Sequence, residues 1–435
     1  MGAPIHEGVG TASGRARFDT VDQWLRWQET LNPRSIDLGL DRCRPVFDAL
    51  NLGRAGFPVV SVAGTNGKGS CVAMIESVLA RAGYRVGSYT SPHLTTFNET
   101  IRVAGREVSD EELVRAFQRV DEARDGIALT WFEFRTLAAG LLLEAAKVDI
   151  AVMEVGLGGR LDAVNLFDAD LAVITAIGLD HRDWLGDTRD DIGREKAGIC
   201  RPGRPVVCGD PDPPRGLLEA VAEIGARPYL AGTDFCGTRT PGGWRWTGPD
   251  CTWEPLPEPG IPGPRQLDNA SAALMAIRLL APRFPLGDRP VADGLAACCL
   301  RGRLEFLPGS PETVVDVAHN PDAADALAEW LRGLQPARCT RGVLGMYADK
   351  DIGGVARALG DVIDAWYVAS LPPPRGATGG AVETALREAG IRAPVSVSED
   401  VAGAIRAARG DSETSDRIVV FGSFETVRQA LALES

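Results

Sequence analysis

The sequence is short of positive charge, of histidine and of long apolar runs, and each shortage excludes something. Lys and Arg number 46 against 59 Asp and Glu, a formal net charge of −13 over 435 residues. A general nucleic-acid or anionic-membrane binder needs a basic footprint, which this balance denies. If the substrates are anions, positive charge must be concentrated at the site that takes them. No stretch reaches the ~18 apolar residues of a transmembrane helix. The opening, residues 1–20, is Gly-rich, lacks an apolar signal core and reads as a flexible leader. The nine cysteines form an odd count without a C-x-x-C pair, which argues against a disulfide framework or a thiolate metal site and for a reduced cytoplasmic protein. Partners of the nucleic-acid or membrane kind are therefore not expected, and a monomer is the default. Hydrophobic residues at 45% and charged residues at 24% are ordinary for a globular chain, and the length predicts two domains.

The order of patterns is α/β with a mainly parallel sheet. Residues 57–64 (FPVVSVAG) read as a buried strand. In the following segment Val72, Ile75, Val78, Leu79 and Ala82 share one helical face before Gly83. Strands are predicted over 84–89, 148–155 and 171–177, and helices over 111–122 and 132–147. Residues 236–264, rich in Gly, Pro and Trp, predict an irregular or antiparallel excursion, followed by a helix over 269–280. A second α/β series begins near Arg303, which puts the boundary at about residue 300: 21–300 and 301–435.

The strongest local signal is Gly64-Thr65-Asn66-Gly67-Lys68-Gly69-Ser70, between a strand and a helix start. Such a turn lets backbone N–H groups close on phosphate oxygens, with Lys68 as a point charge and Ser70 as a hydroxyl donor. It departs from G-x-x-x-x-G-K-[ST], because Gly69 separates Lys68 from Ser70. Glu154 ends an apolar strand and precedes glycines at 156, 158 and 159; a carboxylate there needs a partner or a cation. Of the four histidines, His6 lies in the leader, whereas His93, His181 and His319 each follow a predicted strand. Ser91, Glu154 and His181 could converge on a divalent cation. Each motif also has a plain structural reading: a ligand-free turn for the Gly-rich loop, a structural turn for Ser91-Pro92-His93, an Arg-paired Glu154, a solvated helical face for 193–199, and an Asn-Pro helix start for 316–321.

Together and in order, these segments resemble the folylpolyglutamate synthase/dihydrofolate synthase family, a branch of the Mur ligase superfamily. The matching stretches are IDLGLDR (36–42), VAGTNGKGS (62–70), SPHL (91–94), TWFEFRTL (130–137), EVGLGGRLDA (154–163), LDHRDWLG (179–186), IGREKAGI (192–199), DVAHNP (316–321), DKDI (349–352), PRGAT (374–378) and GSFETV (422–427). The resemblance implies an N-terminal P-loop, Mur-ligase-like ATPase domain and a smaller C-terminal Rossmann-like α/β domain. It implies ATP and Mg²⁺ as cofactors, with K⁺ as a further ion. Asn66, Gly67, Lys68, Gly69, Ser70, Asn269, Arg303 and Asp316 would contact the nucleotide. Ser91, Glu154 and His181 would bind Mg²⁺, joined by Lys196 in carbamylated form. Lys68, Lys196 and His319 would serve catalysis. Ile36, Asp37, Leu38, Gly39, Thr130, Trp131, Phe132, Glu133, Leu161, Asp162 and Ala163 would line the pterin side, and Ser423, with Asp316 and His319, would shape the glutamate site. Three positions depart from the family pattern: Thr100, where an arginine is usual and Arg102 could substitute as the substrate-side cation, and Ala348 and Glu425, where histidine is found.

The implied activity is ATP-dependent ligation of L-glutamate to dihydropteroate and to tetrahydrofolate through an acyl phosphate. The alternatives are a related ligase acting on another carboxylate and a catalytically silent nucleotide-binding protein. Intact Lys68, Glu154, His181 and Lys196 count against the silent copy.

Overall fold

The computed structural model describes residues 17–433 except 35 and 55. The first sheet has eight strands: β1 (Val59–Ala63), β2 (Val86–Tyr89), β3 (Ile101–Val103), β4 (Arg106–Glu107), β5 (Ile150–Glu154), β6 (Leu171–Ile174), β7 (Pro205–Cys208) and β8 (Arg227–Leu230). Their order is β4-β3-β2-β5-β1-β6-β7-β8. All pairings from β2 to β8 are parallel, and only the β2–β3–β4 edge is antiparallel. The central strands β1, β5 and β6 are buried at every residue. That is why they read as continuous apolar runs rather than as alternation.

The helix Trp131–Ala145 packs behind this sheet. Thr130 caps it through the Glu133 amide, and Glu133 returns the bond to the Thr130 amide. Such a box contributes on the order of 1 kcal/mol. The helix carries Phe134, Leu137, Ala138, Ala139 and Leu141 to Leu143 around its circumference and is buried almost all round, as a helix without a polar stripe must be. Trp24, Phe117 and Phe134 close the core on that side, with ring centroids 5.9–6.2 Å apart.

The Gly-, Pro- and Trp-rich stretch forms the antiparallel alternative of its prediction. Strands β9 (Cys236–Thr240), β10 (Gly243–Gly248) and β11 (Cys251–Leu256) make a meander. Trp246 and Trp253 stack at 4.8 Å, and the indoles of Trp244 and Trp246 donate to the carbonyls of Pro257 and Ser271. The meander covers the helix Gln266–Leu280.

A second sheet follows, with β12 (Glu305–Leu307), β13 (Glu312–Val315), β14 (Thr340–Leu344), β15 (Ala365–Ala369), β16 (Val395–Ser398) and β17 (Arg417–Phe421) in the order β12-β13-β17-β14-β15-β16. All but the β12–β13 pair are parallel. The apolar core changes hands between Cys298 and Leu304, although Leu94 of the first unit packs into the second unit's core.

Part of the expected leader belongs to the fold. Residues 1–16, including His6, lie outside the described residues. Residues 17–20 do not trail: Arg17 pairs with Asp121 at 2.8 Å, Phe18 meets Trp24 edge-on at 5.4 Å, and Thr20 caps the helix Val21–Leu31. Apolar and capping contacts outweigh the low local propensity there. All nine cysteines are free thiols. Among the described residues, no helix is long and apolar enough to cross a membrane.

Candidate active site

The carboxyl ends of β1, β5 and β6 open at the point where the chain leaves β1 towards β2 and the adjacent β6 towards β7, in opposite directions along the sheet, the position at which α/β sheets bind ligands. A cavity of about 660 Å³ lies there, between the two domains, and both contribute to its lining.

The Gly-rich turn joins β1 to the helix Lys68–Arg81. Gly67, its N-cap, has φ +90°, and a Cβ at that position would collide with the Asn269 side chain. A glycine is therefore required both by backbone and by space. Thr65 N donates to Ala176 O at 2.8 Å, and Thr175 Oγ1 donates to Asn66 O at 2.7 Å. The turn is thus moored on the residues that follow β6. Lys68 Nζ donates to the carbonyls of Gly64 (3.0 Å) and Thr65 (3.2 Å), folded back on its own loop. Burial lowers its pKa, and Glu154 opposes that shift.

Glu154 ends β5 and is buried; its Oε2 accepts from the Ser91 amide at 3.3 Å. Burial raises its pKa against the pull of Lys68. His181, at φ +52°, stands at the cavity wall, with its Nε2 3.3 Å from Lys350 Nζ. Burial and the Lys350 charge push its pKa down to about 4, so the imidazole is neutral at pH 7. Lys196 is buried and donates to Gly64 O at 2.9 Å; burial and Lys68 lower its pKa to about 7. Ser91, Glu154, His181 and Lys196 all line the one cavity. A buried carboxylate, a neutral imidazole and a serine lining one cavity are donor types that suit a hard divalent cation. Among the described residues, no three His, Cys, Asp or Glu side chains form a metal cluster. The expected set has two of those types, so hydroxyl, carbamate, phosphate or water oxygens would have to complete the shell.

The second domain brings Arg303, Asp316 and His319 to the same cavity. Asp316 accepts from the amides of Leu304 (2.9 Å) and Ala318 (2.8 Å), and the Arg303 guanidinium lies 5.4 Å from the Phe424 ring centre. Burial raises the Asp316 pKa and lowers that of Arg303, each opposed by the other's charge. Lys68, Lys196 and Arg303 bring positive charge to the wall and Lys350 stands behind His181, but the lining holds seven Asp and Glu against five Lys and Arg, so the expected local excess of cations is not found over the cavity as a whole.

Several expected residues stand elsewhere or are already engaged. His93 points towards Phe97, 6.2 Å between ring centres, and is not in the cavity wall. The Ser423 hydroxyl accepts from Thr426 N at 3.0 Å as a helix cap and is buried. Arg102, expected as a substitute substrate-side cation, is engaged elsewhere: it forks onto Glu76, with contacts of 2.6–3.2 Å, holding the helix Lys68–Arg81 to β3. Thr100 is buried and donates to Phe97 O. Ala348 is exposed, and Glu425 pairs with Arg428 at 2.6 Å.

The pterin-side segments form their own group beside the cavity. Gly39 N donates to Leu161 O at 3.3 Å, and Arg42 bridges Asp37 (2.7 Å) and Glu133 (3.0 Å). Phe132 lies over Gly156, a cavity residue whose missing side chain makes room for the ring. Trp131 meets Phe132 edge-on at 5.8 Å. Asp162 accepts from Leu157 N (2.8 Å) and Val164 N (2.9 Å), and burial lifts its carboxyl to about 6. Leu161, Asp162 and Ala163 thereby border the same glycine-rich turn; Ile36 and Leu38 are half-buried.

Two charged residues that the sequence reading did not single out complete the junction. Asp180, beside His181, pairs with Lys350 Nζ at 2.6 Å and lies 3.5 Å from His319 Nε2. Burial works against its charge, but His319, His181 and Lys350 outweigh it and hold it well below the usual carboxylate range. The DKDI stretch just past a strand was the available signal, yet nothing local says that Lys350 reaches across to the other domain.

Two mainly parallel sheets, a phosphate-type loop at the switch point and a cavity between the domains are the features shared with the ligase class found in comparison with known proteins. Residues 302–424 match the Mur ligase, glutamate ligase domain. The chain is 41% identical over 408 residues to the dihydrofolate synthase/folylpolyglutamate synthase of Escherichia coli (strain K12), covering 94% of each. It superposes on E. coli FolC in complex with DHPP and ADP with a TM-score of 0.90 at 39% identity, covering 97% of this chain and 99% of that one. A bifunctional folylpolyglutamate synthase/dihydrofolate synthase with Mn, AMPPNP and L-glutamate bound gives 0.88 at 40% identity, covering 95% and 98%. The chain belongs to the dihydrofolate synthase/folylpolyglutamate synthase family.

Proposed function

We propose that this protein adds L-glutamate to 7,8-dihydropteroate and to tetrahydrofolate, at the expense of ATP, through an acyl phosphate. The observation that carries the reading is the interdomain cavity, where Lys68, Glu154, His181, Lys196, Arg303 and Asp316 face one space in a chain 41% identical to a bifunctional relative. A carboxylate and an amine do not condense in water unaided. The substrate carboxylate attacks the γ-phosphoryl group, ADP leaves, the glutamate amine attacks the acyl carbon, and phosphate departs. The protein's work is positioning and charge neutralisation.

In this reading Gly67, Gly69 and Ser70 offer backbone and hydroxyl donors to the phosphates, and Lys68 turns from its own loop carbonyls to the transferring group. Asn269, Arg303 and Asp316 hold the nucleotide from both domains. Ser91, Glu154, His181 and carbamylated Lys196 would hold Mg²⁺, which when bound neutralises phosphate charge. His319 serves the glutamate side; Ser423 acts by fixing the turn rather than by contact. The pterin rests on Ile36 to Gly39, Thr130 to Glu133 and Leu161 to Ala163. The division at about residue 300 is supported by the change of core between Cys298 and Leu304. Free thiols throughout support a reducing, cytoplasmic setting, and we take the monomer as the working unit.

The test supplies ATP, Mg²⁺ and L-glutamate with either dihydropteroate or tetrahydrofolate and identifies products. Both substrates should be glutamylated. Product from one alone leaves a monofunctional synthase, and product from neither overturns the folate assignment.

A further inference from the structure

We propose that Asn66 and Asn320 are positioning residues that make phosphate-loop order and domain closure a single event. Asn66 sits in the Gly-rich turn of the first domain, and Asn320 caps the helix Pro321–Gly333 of the second. Their amides form a reciprocal pair: Asn66 Nδ2 donates to Asn320 Oδ1 at 3.2 Å, and Asn320 Nδ2 donates to Asn66 Oδ1 at 3.0 Å. The orientation is fixed from outside the pair. Asn320 Oδ1 also accepts the Ala323 amide at 2.9 Å, so its oxygen cannot turn away, and Asn66 must present its nitrogen to it. Asn320 is 2% exposed.

The pair is the second of two clamps. One face of the turn is moored on Thr175 and Ala176 within its own domain; the other is held across the domain gap by Asn320. Asn320 Nδ2 also reaches Asp180 Oδ2 at 3.4 Å, and Asp180 binds Lys350, so the same domain grips both loops that flank the cavity. A phosphate turn needs its N–H groups aimed before catalysis, and an acyl phosphate needs water kept out. With the domains apart, Asn66 loses its partner and the turn its second clamp. Asn66 thus acts through Asn320, rather than as the direct nucleotide contact that the family resemblance implied. The inference rests on the ligase reading above.

The test uses full-length Asn320→Ser, Asn66→Ala and the double variant. Serine retains the helix cap, so the fold is kept while the amide pair is lost. The readouts are kcat, KM for ATP, and ADP formed per glutamate ligated. Each single variant should lose roughly tenfold in kcat/KM for ATP, the scale of one hydrogen-bonded pair. ADP should exceed ligated product several-fold, because an unclamped site admits water. The double variant should be no worse than either single one. Unchanged ADP-to-product ratios, or losses that multiply in the double variant, overturn the proposal. If the wild type ligates neither pteroate substrate, the ligase reading has failed, and the pair is judged on ADP-induced compaction in small-angle scattering. Compaction that needs both asparagines then upholds the coupling, and equal compaction in all variants overturns it.

Discussion

Replacing Arg102 by methionine separates two roles for this residue, substrate-side cation or structural partner. The Arg102–Glu76 fork joins β3 to the phosphate-loop helix, with side chains 21% and 7% exposed. Arg102→Met leaves Glu76 buried without a counter-charge. Removing one member of a buried pair costs ~3–5 kcal/mol, and the partial exposure of Arg102 favours the low end. The expected loss at pH 7 is therefore about 3 kcal/mol. Glu76→Leu combined with Arg102→Met should return to within about 1 kcal/mol of wild type, since apolar replacement of a whole buried pair is close to neutral. Urea unfolding at pH 7 compares the wild type, the single variant and the double variant, and steady-state kinetics gives the KM for dihydropteroate. A destabilisation under ~1 kcal/mol at pH 7, together with a raised KM for dihydropteroate, would refute the structural role and return Arg102 to the substrate.

Lys68→Ala should keep the unfolding midpoint, because its present partners are loop carbonyls, and lower kcat by about 10²–10³; near-normal turnover in a folded variant removes the loop from catalysis. Gly67→Ala forces a side chain onto φ +90° and into Asn269, a strain of ~1–3 kcal/mol, so ADP affinity by calorimetry should fall roughly 10- to 100-fold, and wild-type affinity would count against the described turn. Carbamylation of Lys196 needs the neutral amine. With its pKa lowered to about 7, activity at limiting bicarbonate should rise from pH 6 to pH 8 as the neutral fraction grows, and bicarbonate should stimulate Lys196 protein but not Lys196→Ala. Full activity in CO₂-free buffer, with an unmodified Lys196 in a metal-loaded crystal, contradicts it.

How much was legible in the sequence depended on whether the controlling interactions were local. The buried runs at 59–63, 150–154 and 171–174 predicted strands within two or three residues, because a parallel central strand is apolar throughout. The turn at 64–70 was readable because its glycines and lysine are consecutive. The stretch 236–264 offered two forms, and packing of Trp244 and Trp246 on the helix Gln266–Leu280 selected the antiparallel one. Arg102 could not be assigned from sequence, since Glu76 is 26 residues away and meets it only across the β3–helix gap. The flexible leader was overdrawn for the same reason, as Arg17 finds Asp121 from another helix.

The sequence by itself determined the α/β order and the place of the Gly-rich turn between strand and helix, because helix and strand periods, caps and glycine turns act over a few neighbouring residues. Only the tertiary structure decided which motifs share a cavity. It brought Ser91, Glu154, His181 and Lys196 together, left His93 outside the wall, turned Ser423 into a cap, and carried Lys350 to Asp180 and Asn320 to Asn66. Those contacts span as many as 254 residues, and burial across a domain junction, which sets their strength, exists only once the chain has closed.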